Sequence, residues 1–271
     1  MQNFASHHQL HTGDLKTKME LFLKIPLILI TGTFAGFLNT VAGGGSLLTL
    51  PVLRFLGLPA PKANGTNRVA VIIQNASGIM GFRRKGISDF RYSALLTAPA
   101  IVGAWIGAEI ANQMTDRAFD RVLAGIMVGV LFLTLFSPTK KLQDGSENLS
   151  LSRKIMAMVG FFFVGVYGGF IQAGVGFIII AALTLINGFD LIRTNAIKIF
   201  VVFFYTIVAL VAFIRAGNVD WFLGLTLAVG NASGAWIGSH WAVTKGEKWI
   251  KTVLVVAVLA FAVRLVWQSL G

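Results

Sequence analysis

The sequence predicts an all-α integral membrane protein with about eight transmembrane helices in two homologous halves. Three observations predict this class. Of the 271 residues, 55% are hydrophobic and only 13% are charged, whereas soluble proteins carry roughly 25% charged residues. The apolar residues form long continuous blocks, and similar motifs recur in the two halves of the chain. A soluble domain of this length could not enclose so much apolar surface in one core.

The composition also excludes other classes of protein. A soluble enzyme, a disordered chain and a secreted disulfide scaffold do not fit, since mean hydropathy is +0.75 and cysteine is absent. The net charge of +12 does not indicate nucleic-acid binding, because the basic residues lie in short clusters between apolar blocks, as in membrane-protein loops. Continuous apolar runs without alternation exclude a transmembrane β-barrel.

Eight stretches approach the roughly 20 apolar residues that a membrane-crossing helix needs. They are 25–42, 64–82, 92–111, 118–137, 155–171, 196–214, 221–241 and 249–268. Two further apolar pieces, 46–57 and 177–188, are too short to cross, and each follows a glycine-rich interruption. Each half is therefore predicted to contain a glycine-broken helix followed by a short non-spanning helical piece.

The polar segments divide the chain into four parts. We expect a cytoplasmic leader at 1–24, a first transmembrane repeat at 25–137, a linker at 138–154 and a second repeat at 155–271. The leader contains three histidines, but no helical face or second shell accompanies them, so no metal site is expected.

Orientation follows from the basic loops. The loops around 83–91 and 140–154 are separated by two spans and share one side, which the positive-inside rule makes the cytoplasm. Eight net crossings with both ends inside is the preferred topology. A topology in which 46–57 completes a second crossing, which gives odd-numbered inverted halves, stays open.

The two halves match without gaps at an offset of 131 residues. Gly103-Ala-Trp-Ile-Gly107 recurs as Gly234-Ala-Trp-Ile-Gly238, and Ala42–Gly45 aligns with Ala173–Gly176. The pentapeptides are small-xxx-small motifs, which predict close helix–helix contact. Duplicated membrane halves that enclose a midplane site are typical of secondary transporters.

The glycine-rich interruptions are the first candidate site. Thr40–Thr49 and Gln172–Phe177 each break an apolar block, and irregular backbone at membrane depth is tolerated only where protein or a water-filled cavity satisfies it. The helix that begins after each break would present free amide groups and a partial positive charge, which together favour an anion. Packing of helices against the glycines is the alternative explanation.

Charged residues within the spans are the second candidate. Arg68 and Lys198 are the cations deepest in an apolar run, and such groups normally face a cavity or a partner; the alternative is that they are interfacial anchors. Gln74 and Asn75 lie farther into the span and either line a pathway or cap broken backbone. Glu109 and His240 follow the two pentapeptides at the same offset and form a candidate pair for proton coupling.

Several of these motifs together resemble the sulfite exporter TauE/SafE family. Ala42–Ser46 and Ala63–Asn67 resemble the first-half signature, while Gly165–Gly176 with Thr194, Asn195 and Lys198 resembles the second-half one, and the similarity extends from about Pro26 to Trp267. The resemblance implies transport of sulfur oxyanions or small organosulfonates across the bacterial inner membrane, often as export. The second-half stretch here reads Ala-Gly-Val-Gly rather than three consecutive glycines.

The leading hypothesis is a multi-pass secondary transporter, an exporter of sulfite or a C2 organosulfonate in the bacterial inner membrane, that works by alternating access between the repeats. The predicted substrate-binding residues are Asn39, Gly43, Gly44, Gly45, Ser46, Asn67, Arg68, Gln172, Gly174, Gly176, Phe177, Asn195 and Lys198. A passive anion channel on the same scaffold is the alternative. A membrane-embedded enzyme is disfavoured, so neither catalytic residues nor a cofactor is expected. The expected partners are a small anion, the lipid bilayer and a second copy in a homodimer, without nucleic acid.

Overall fold

The computed structural model describes residues 25–41, 43–87, 89–136 and 147–241, and within them the chain is α-helical. The helices are α1 (Ile25–Val41), α2 (Ser46–Phe55), α3 (Ala60–Arg84), α4 (Phe90–Asn112), α5 (Asp116–Phe136), α6 (Leu151–Phe170), α7 (Val175–Asn187), α8 (Leu191–Arg215) and α9 (221–241). The all-α prediction is therefore confirmed over the described residues. The leader at 1–24 and the span at 249–268 lie outside them.

Three of the described helices, α4, α6 and α8, are both long enough and apolar enough to cross a membrane. Helices α1, α2 and α7 are apolar but shorter. Helix α3 has 25 residues, but polar side chains, including Arg68, interrupt its sequence. These helices support a membrane protein, while eight spans and a duplicated architecture stay predictions.

Two helices, α4 and α8, begin at an aspartate cap rather than at the first residue of the predicted span. The Asp89 carboxylate accepts from the amide of Tyr92 at the start of α4, and Asp190 caps α8 in the same way. Helix α8 therefore begins at Leu191, five residues before residue 196, where the predicted span begins. Similarly, α6 begins at Leu151, inside the predicted linker.

Both predicted helix breaks are present. Helix α1 ends at Val41 and α2 begins at Ser46, while α6 ends at Phe170 and α7 begins at Val175. The backbone turns through the left-handed region in both breaks, at Gly43 (φ 94°) and Gly174 (φ 72°), and also at Gln172 (φ 61°). Glycine adopts this conformation at little cost, so the glycines allow the chain to reverse there.

The short helices fold back along the helices that precede them. At the open end of the α6–α7 pair, the amide of Asn148 donates to the carbonyl of Asn187 over 3.0 Å, and Arg153 donates to the carbonyl of Ile186 over 2.8 Å. In the first half, Leu53 near the end of α2 belongs to the same buried cluster as Ile28 near the start of α1.

This fold-back does not fit the preferred topology, which needed each broken pair to cross the membrane once in net terms. Helices of 10 and 13 residues extend only about 15–20 Å at 1.5 Å per residue, less than the hydrocarbon thickness of roughly 30 Å. The end of each short helix lies beside the start of the helix that precedes it. The inverted halves of the topology that the sequence left open fit this arrangement, although α2 is too short to complete a second crossing.

Helices α3 and α8 consequently run antiparallel. A Cβ on Gly65, early in α3, would lie 2.9 Å from the side chain of Phe213, late in α8. A Cβ on Gly78, late in α3, would lie 3.2 Å from the side chain of Ile199, early in α8. Residues 62–68 and 193–198, which align in the predicted repeat, therefore lie toward opposite ends of this helix pair.

The two Gly-Ala-Trp-Ile-Gly motifs are close helix contacts, as predicted. A Cβ on Gly103 of α4 would lie 2.7 Å from the amide nitrogen of Val166 in α6. A Cβ on Gly234 of α9 would lie 2.8 Å from that of Phe37 in α1. Each motif therefore packs one helix against a glycine-broken helix.

The helix directions can be tested by labelling single cysteines, because the natural chain has no cysteine. With the broken pairs folded back, Thr115→Cys and Arg215→Cys should react with a membrane-impermeant maleimide from one side of oriented vesicles, and Lys85→Cys from the other. All three residues are exposed. If each broken pair crossed once, the cysteine at 215 would react from the same side as that at 85, which would contradict the fold.

Candidate functional site at the contact of the two broken helices

The two helix breaks are in direct backbone contact. A Cβ added to Gly43 would overlap the backbone of Gly176, and the reverse substitution would overlap Gly43. A Cβ on Gly44 would lie 3.0 Å from the ring of Phe177. The glycines of both breaks are buried, and the ring of Phe177 is partly buried. The structure thus brings together two segments 130 residues apart that the sequence assigned to one site.

Several amides of the breaks already have partners in this conformation. The amide of Gly43 donates to the carbonyl of Leu38 over 2.9 Å, and that of Phe177 donates to the carbonyl of Gly174 over 3.0 Å. Helices α2 and α7 nevertheless begin here, at Ser46 and Val175. The partial positive charge of two helix N-termini is therefore concentrated where the breaks meet.

Arg68 is fully buried and bonded to the other broken helix. Its guanidinium donates to the carbonyls of Gly168, over 3.0 Å, and of Gly169, and to Oδ1 of Asn64 over 3.3 Å. Its Cζ atom lies 4.7 Å from the ring centroid of Phe213. The two backbone carbonyls belong to the last turn of α6, where the helix dipole is negative. Arg68 is thus a buried cation rather than an interfacial anchor.

Lys198, in the second half, is bonded in the same way to the broken helix of the first half. Its Nζ atom donates to the carbonyl of Asn39 over 2.9 Å, to the carbonyl of Thr40 over 3.2 Å and to Oδ1 of Asn195 over 2.6 Å. The side chain is 2% exposed. The two backbone carbonyls lie in the last turn of α1. Each buried cation therefore binds the C-terminal end of the broken helix in the other half.

Two asparagines form hydrogen bonds of the same kind, each to the end of the broken helix in the other half. Nδ2 of Asn64 donates to the carbonyl of Phe170 over 2.7 Å, and Nδ2 of Asn195 donates to the carbonyl of Val41 over 3.1 Å. These carbonyls end α6 and α1. Asn195 was a predicted site residue, whereas Asn64 was not, although its alignment with Asn195 in the repeat was a signal that could have identified it.

The other predicted polar residues also contact the breaks. Nδ2 of Asn67 donates to Oγ of Ser46 over 3.1 Å, and its Oδ1 accepts from Thr49 over 2.6 Å. Nε2 of Gln172 donates to Oγ1 of Thr206 over 2.9 Å. Asn39 contributes its carbonyl to Lys198. These bonds connect the start of α2 to α3, and the second break to α8.

The buried cations lack an acidic partner in the part of the chain that the structure describes. The ion pairs found there join Arg54 to Asp116 and Asp120, and Arg193 to Asp89 and Glu147. The hydrogen bonds of Arg68 and Lys198 found there instead go to neutral oxygens. The contact between the halves therefore carries uncompensated positive charge.

The structure places the two candidate proton-coupling residues as follows. Glu109 is exposed on α4. His240 is partly buried at the end of α9, where Nδ1 lies 2.9 Å from the carbonyl of Trp236. A role for this pair in proton coupling stays a prediction. Over residues 25–41, 43–87, 89–136 and 147–241 there is also no group of three His, Asp or Glu residues placed to bind a metal ion.

Sequence reasoning missed polar residues that lie singly within apolar runs. Tyr205 and Asn231 are each at most 1% exposed, and each has a polar atom without a partner within the described ranges. The ring of Tyr205 packs on Gly168, whose carbonyl binds Arg68. Neither residue belongs to a repeated motif, so the sequence offered no signal beyond a polar residue at membrane depth.

A shallow cleft lies beside the Lys198 end of the site. It is lined by residues of α3, α4 and α8, with Arg83 and Asp89 among them. Its apolar residues include Phe82, Ala196 and Ile199. These three share a buried cluster with Val41, whose carbonyl binds Asn195. An apolar layer therefore separates the cleft from the break.

The chain is similar to several proteins that are named as probable membrane transporters. The chain is 24% identical over 248 residues to the "Probable membrane transporter protein ORF9" of Sinorhizobium sp, which covers 90% of this chain and 93% of that protein. It is 26% identical over 245 residues to a "Probable membrane transporter protein" of Haemophilus influenzae, with 90% and 95% covered. It is 27% identical over 261 residues to the "Probable membrane transporter protein YfcA" of Escherichia coli K12, with 95% and 96% covered.

No solved structure matches the chain significantly. The sequence profile of the family described as "Sulfite exporter TauE/SafE" matches residues 28–265, which is most of the chain and includes both helix breaks and both buried cations. The chain therefore belongs to the sulfite exporter TauE/SafE family.

Proposed function

We propose that this protein is a secondary transporter of a small sulfur-containing anion, sulfite or a C2 organosulfonate, across the bacterial inner membrane. The observation that carries the proposal is the pair of buried cations, Arg68 and Lys198, which bind neutral carbonyls instead of carboxylates. Burying a charge without an opposite charge is costly. An anion bound between the halves would supply that charge.

The crossed hydrogen bonds support an alternating-access mechanism. Arg68 of the first half holds the end of α6, and Lys198 of the second half holds the end of α1. Both sets of bonds must change when one half rocks against the other. An anion that replaces the carbonyls as the partner of the cations would lower the cost of this movement, because a ligand shifts a conformational equilibrium by its differential affinity for the two states.

The membrane transport assignment is also supported by the family and by the names of its relatives. Positive-inside counting supports the placement of the basic loop at 83–91 in the cytoplasm. The ion pairs of Arg193 with Asp89 and Glu147 support the proposal that the loop at 140–154 lies on the same side. The direction of net transport would follow the gradients, with export as the family name implies.

Flux measurements test the proposal. Purified protein in proteoliposomes loaded with unlabelled sulfite should accumulate external ³⁵S-sulfite transiently against its gradient, because a carrier exchanges the two pools through one site. An equal load of phosphate should not support this counterflow. A passive channel would only equilibrate the label, and absence of flux of both sulfite and C2 organosulfonates would refute the proposed substrate.

A further inference from the structure

Two buried amide side chains meet where α1, α3 and α9 join, away from the glycine breaks. Nδ2 of Asn231 donates to Oε1 of Gln74 over 3.2 Å, and each side chain is 1% exposed. Nε2 of Gln74 and Oδ1 of Asn231 have no partner among the described residues. We refer to Gln74 and Asn231 as the amide pair. It presents one free donor group and one free acceptor in a buried position.

The presence of one free donor group and one free acceptor does not depend on how the amide oxygen and nitrogen atoms are assigned. Oxygen and nitrogen of an amide are nearly indistinguishable by shape, so the assignment follows from the hydrogen-bond pattern. Exchanging them in both Gln74 and Asn231 reverses the bond between them. One amino group and one carbonyl oxygen then remain free, as before. The amide pair is therefore complementary to a chemical group that both donates and accepts a hydrogen bond.

The amide pair lies close to the Lys198 end of the proposed anion site. Asn231 packs against Gly32 and Gly36 of α1. Thr40 follows Gly36 by one helical turn, which is about 5.4 Å. The carbonyl of Thr40 accepts from Lys198. Oδ1 of Asn231 lies nearest to Gly32, two turns before Thr40. The amide pair is thus one to two turns, about 6–12 Å at 1.5 Å per residue, from the anchor of Lys198, which a short organic anion with a hydrogen bond at each end can span.

A further contact links the helix of Gln74 to the residue that anchors Lys198. A Cβ on Gly78, one turn after Gln74 in α3, would lie 3.8 Å from Oγ1 of Thr40. That hydroxyl is buried and also has no partner among the residues that the structure describes. An unpaired polar group in a buried position typically costs about 1–3 kcal/mol. Three neighbouring groups of this kind are expected where a ligand, rather than protein, completes the hydrogen bonds.

From this arrangement we infer that the amide pair binds a hydroxyl group of the transported anion, whose sulfonate is held at Lys198. The inference rests on the proposed function and narrows its substrate class to short hydroxyalkanesulfonates. A hydroxyl both donates and accepts, so it satisfies Gln74 and Asn231 together. A carboxylate can only accept, and an ammonium group can only donate, so each would leave one member of the pair unsatisfied.

Two ligands that differ only in this hydroxyl test the inference. We expect 2-hydroxyethanesulfonate to bind the purified protein at least about tenfold more tightly than ethanesulfonate in a calorimetric titration, since the second ligand leaves buried polar groups unpaired. In Gln74→Met and Asn231→Leu the ratio of the two affinities should fall to about one, with the affinity for ethanesulfonate unchanged. Two variants are used so that a folding defect in one does not decide the result.

A second amide pair provides the matched control. Nδ2 of Asn218 donates to Oδ1 of Asn112 over 2.9 Å at the Arg215 end of α8, so Asn112→Leu removes a similar bond and should keep the full preference. Equal binding of the two sulfonates by the wild-type protein, or an unchanged preference in both variants, would overturn the inference. If sulfite is transported but neither sulfonate binds, the inference fails while the proposed function stands. If sulfite also fails to bind, the proposed function fails with it.

Discussion

Replacing Lys198 with methionine is expected to abolish anion transport in proteoliposomes while the protein stays folded. The ammonium group donates to two carbonyls of α1 and to Asn195, and it carries one of the two positive charges at the contact between the halves. Removing one partner of a buried, hydrogen-bonded charge interaction typically costs 2–5 kcal/mol. Since every 1.4 kcal/mol is a factor of ten, sulfite counterflow should fall about 30-fold or more.

The stability of the same variant distinguishes a charge kept for function from one kept for structure. Methionine removes the desolvation penalty of the buried ammonium group, and replacing buried charges by apolar residues of similar volume is often neutral or stabilising. The thermal midpoint in detergent should therefore change little or rise. Arg68→Met should behave in the same way, although it leaves the carbonyls of Gly168 and Gly169 without their donor.

Lys62→Met is the matched control for this pair. Lys62 lies on α3 like Arg68, but it is only partly buried, so its variant should retain sulfite flux. The conservative exchanges Lys198→Arg and Arg68→Lys keep the charge and should retain part of the flux. Full transport activity in both methionine variants would remove the observation on which the proposed function depends.

The positions of both helix breaks could be predicted from the sequence because they depend on local chemistry. Three consecutive glycines at 43–45 disfavour a helix and mark the first break, and the second break lies in the predicted stretch Gln172–Phe177, where Gly174 has a positive φ. The close contacts of Gly103 and Gly234 could also be predicted, since a small residue at four-residue spacing is needed where two backbones approach. Arg68 and Lys198 were identified by their depth in an apolar run, and both are buried in the structure, while their role in binding stays a prediction.

The direction of the chain after each break could not be predicted from the sequence. A break at Gly174 permits the next helix either to continue or to turn back, and the apolar composition of α7 suits both. The contacts that show the reversal, such as Arg153 to the carbonyl of Ile186, join residues on different helices. Tertiary contacts therefore determine the direction of the chain after the break. The hydrophobic periodicity of a single segment carries no information about these contacts.

The hydrogen-bond partners of the buried cations could not be predicted from the sequence either. Depth alone predicts that Arg68 needs a partner, but its partners are main-chain carbonyls 100 and 101 residues away, and every residue has a carbonyl. Asn231 illustrates the same limit for a side chain. Its side-chain amide forms the buried amide pair only because Gln74 faces it from another helix.

Three glycine-to-alanine substitutions should separate backbone strain from steric overlap at the contact of the breaks. Gly57 and Gly43 have nearly the same backbone conformation, with φ of 92° and 94°. A Cβ would meet nothing within 4 Å at Gly57, whereas at Gly43 it would overlap Gly176. Gly176 lies in α7, so alanine there introduces overlap without a positive φ. The three variants therefore represent strain alone, overlap alone and both together.

We expect Gly57→Ala to lower the free energy of unfolding by about 1–2 kcal/mol, the usual cost of a left-handed non-glycine residue, and to keep sulfite flux. Gly176→Ala should cost about 1–3 kcal/mol through overpacking and should reduce flux, because it forces the two breaks apart. Gly43→Ala should have the largest effect on both stability and flux. Unfolding in detergent and sulfite counterflow measure the two quantities. If Gly43→Ala were no worse than Gly57→Ala, the breaks would not be in contact in the working protein.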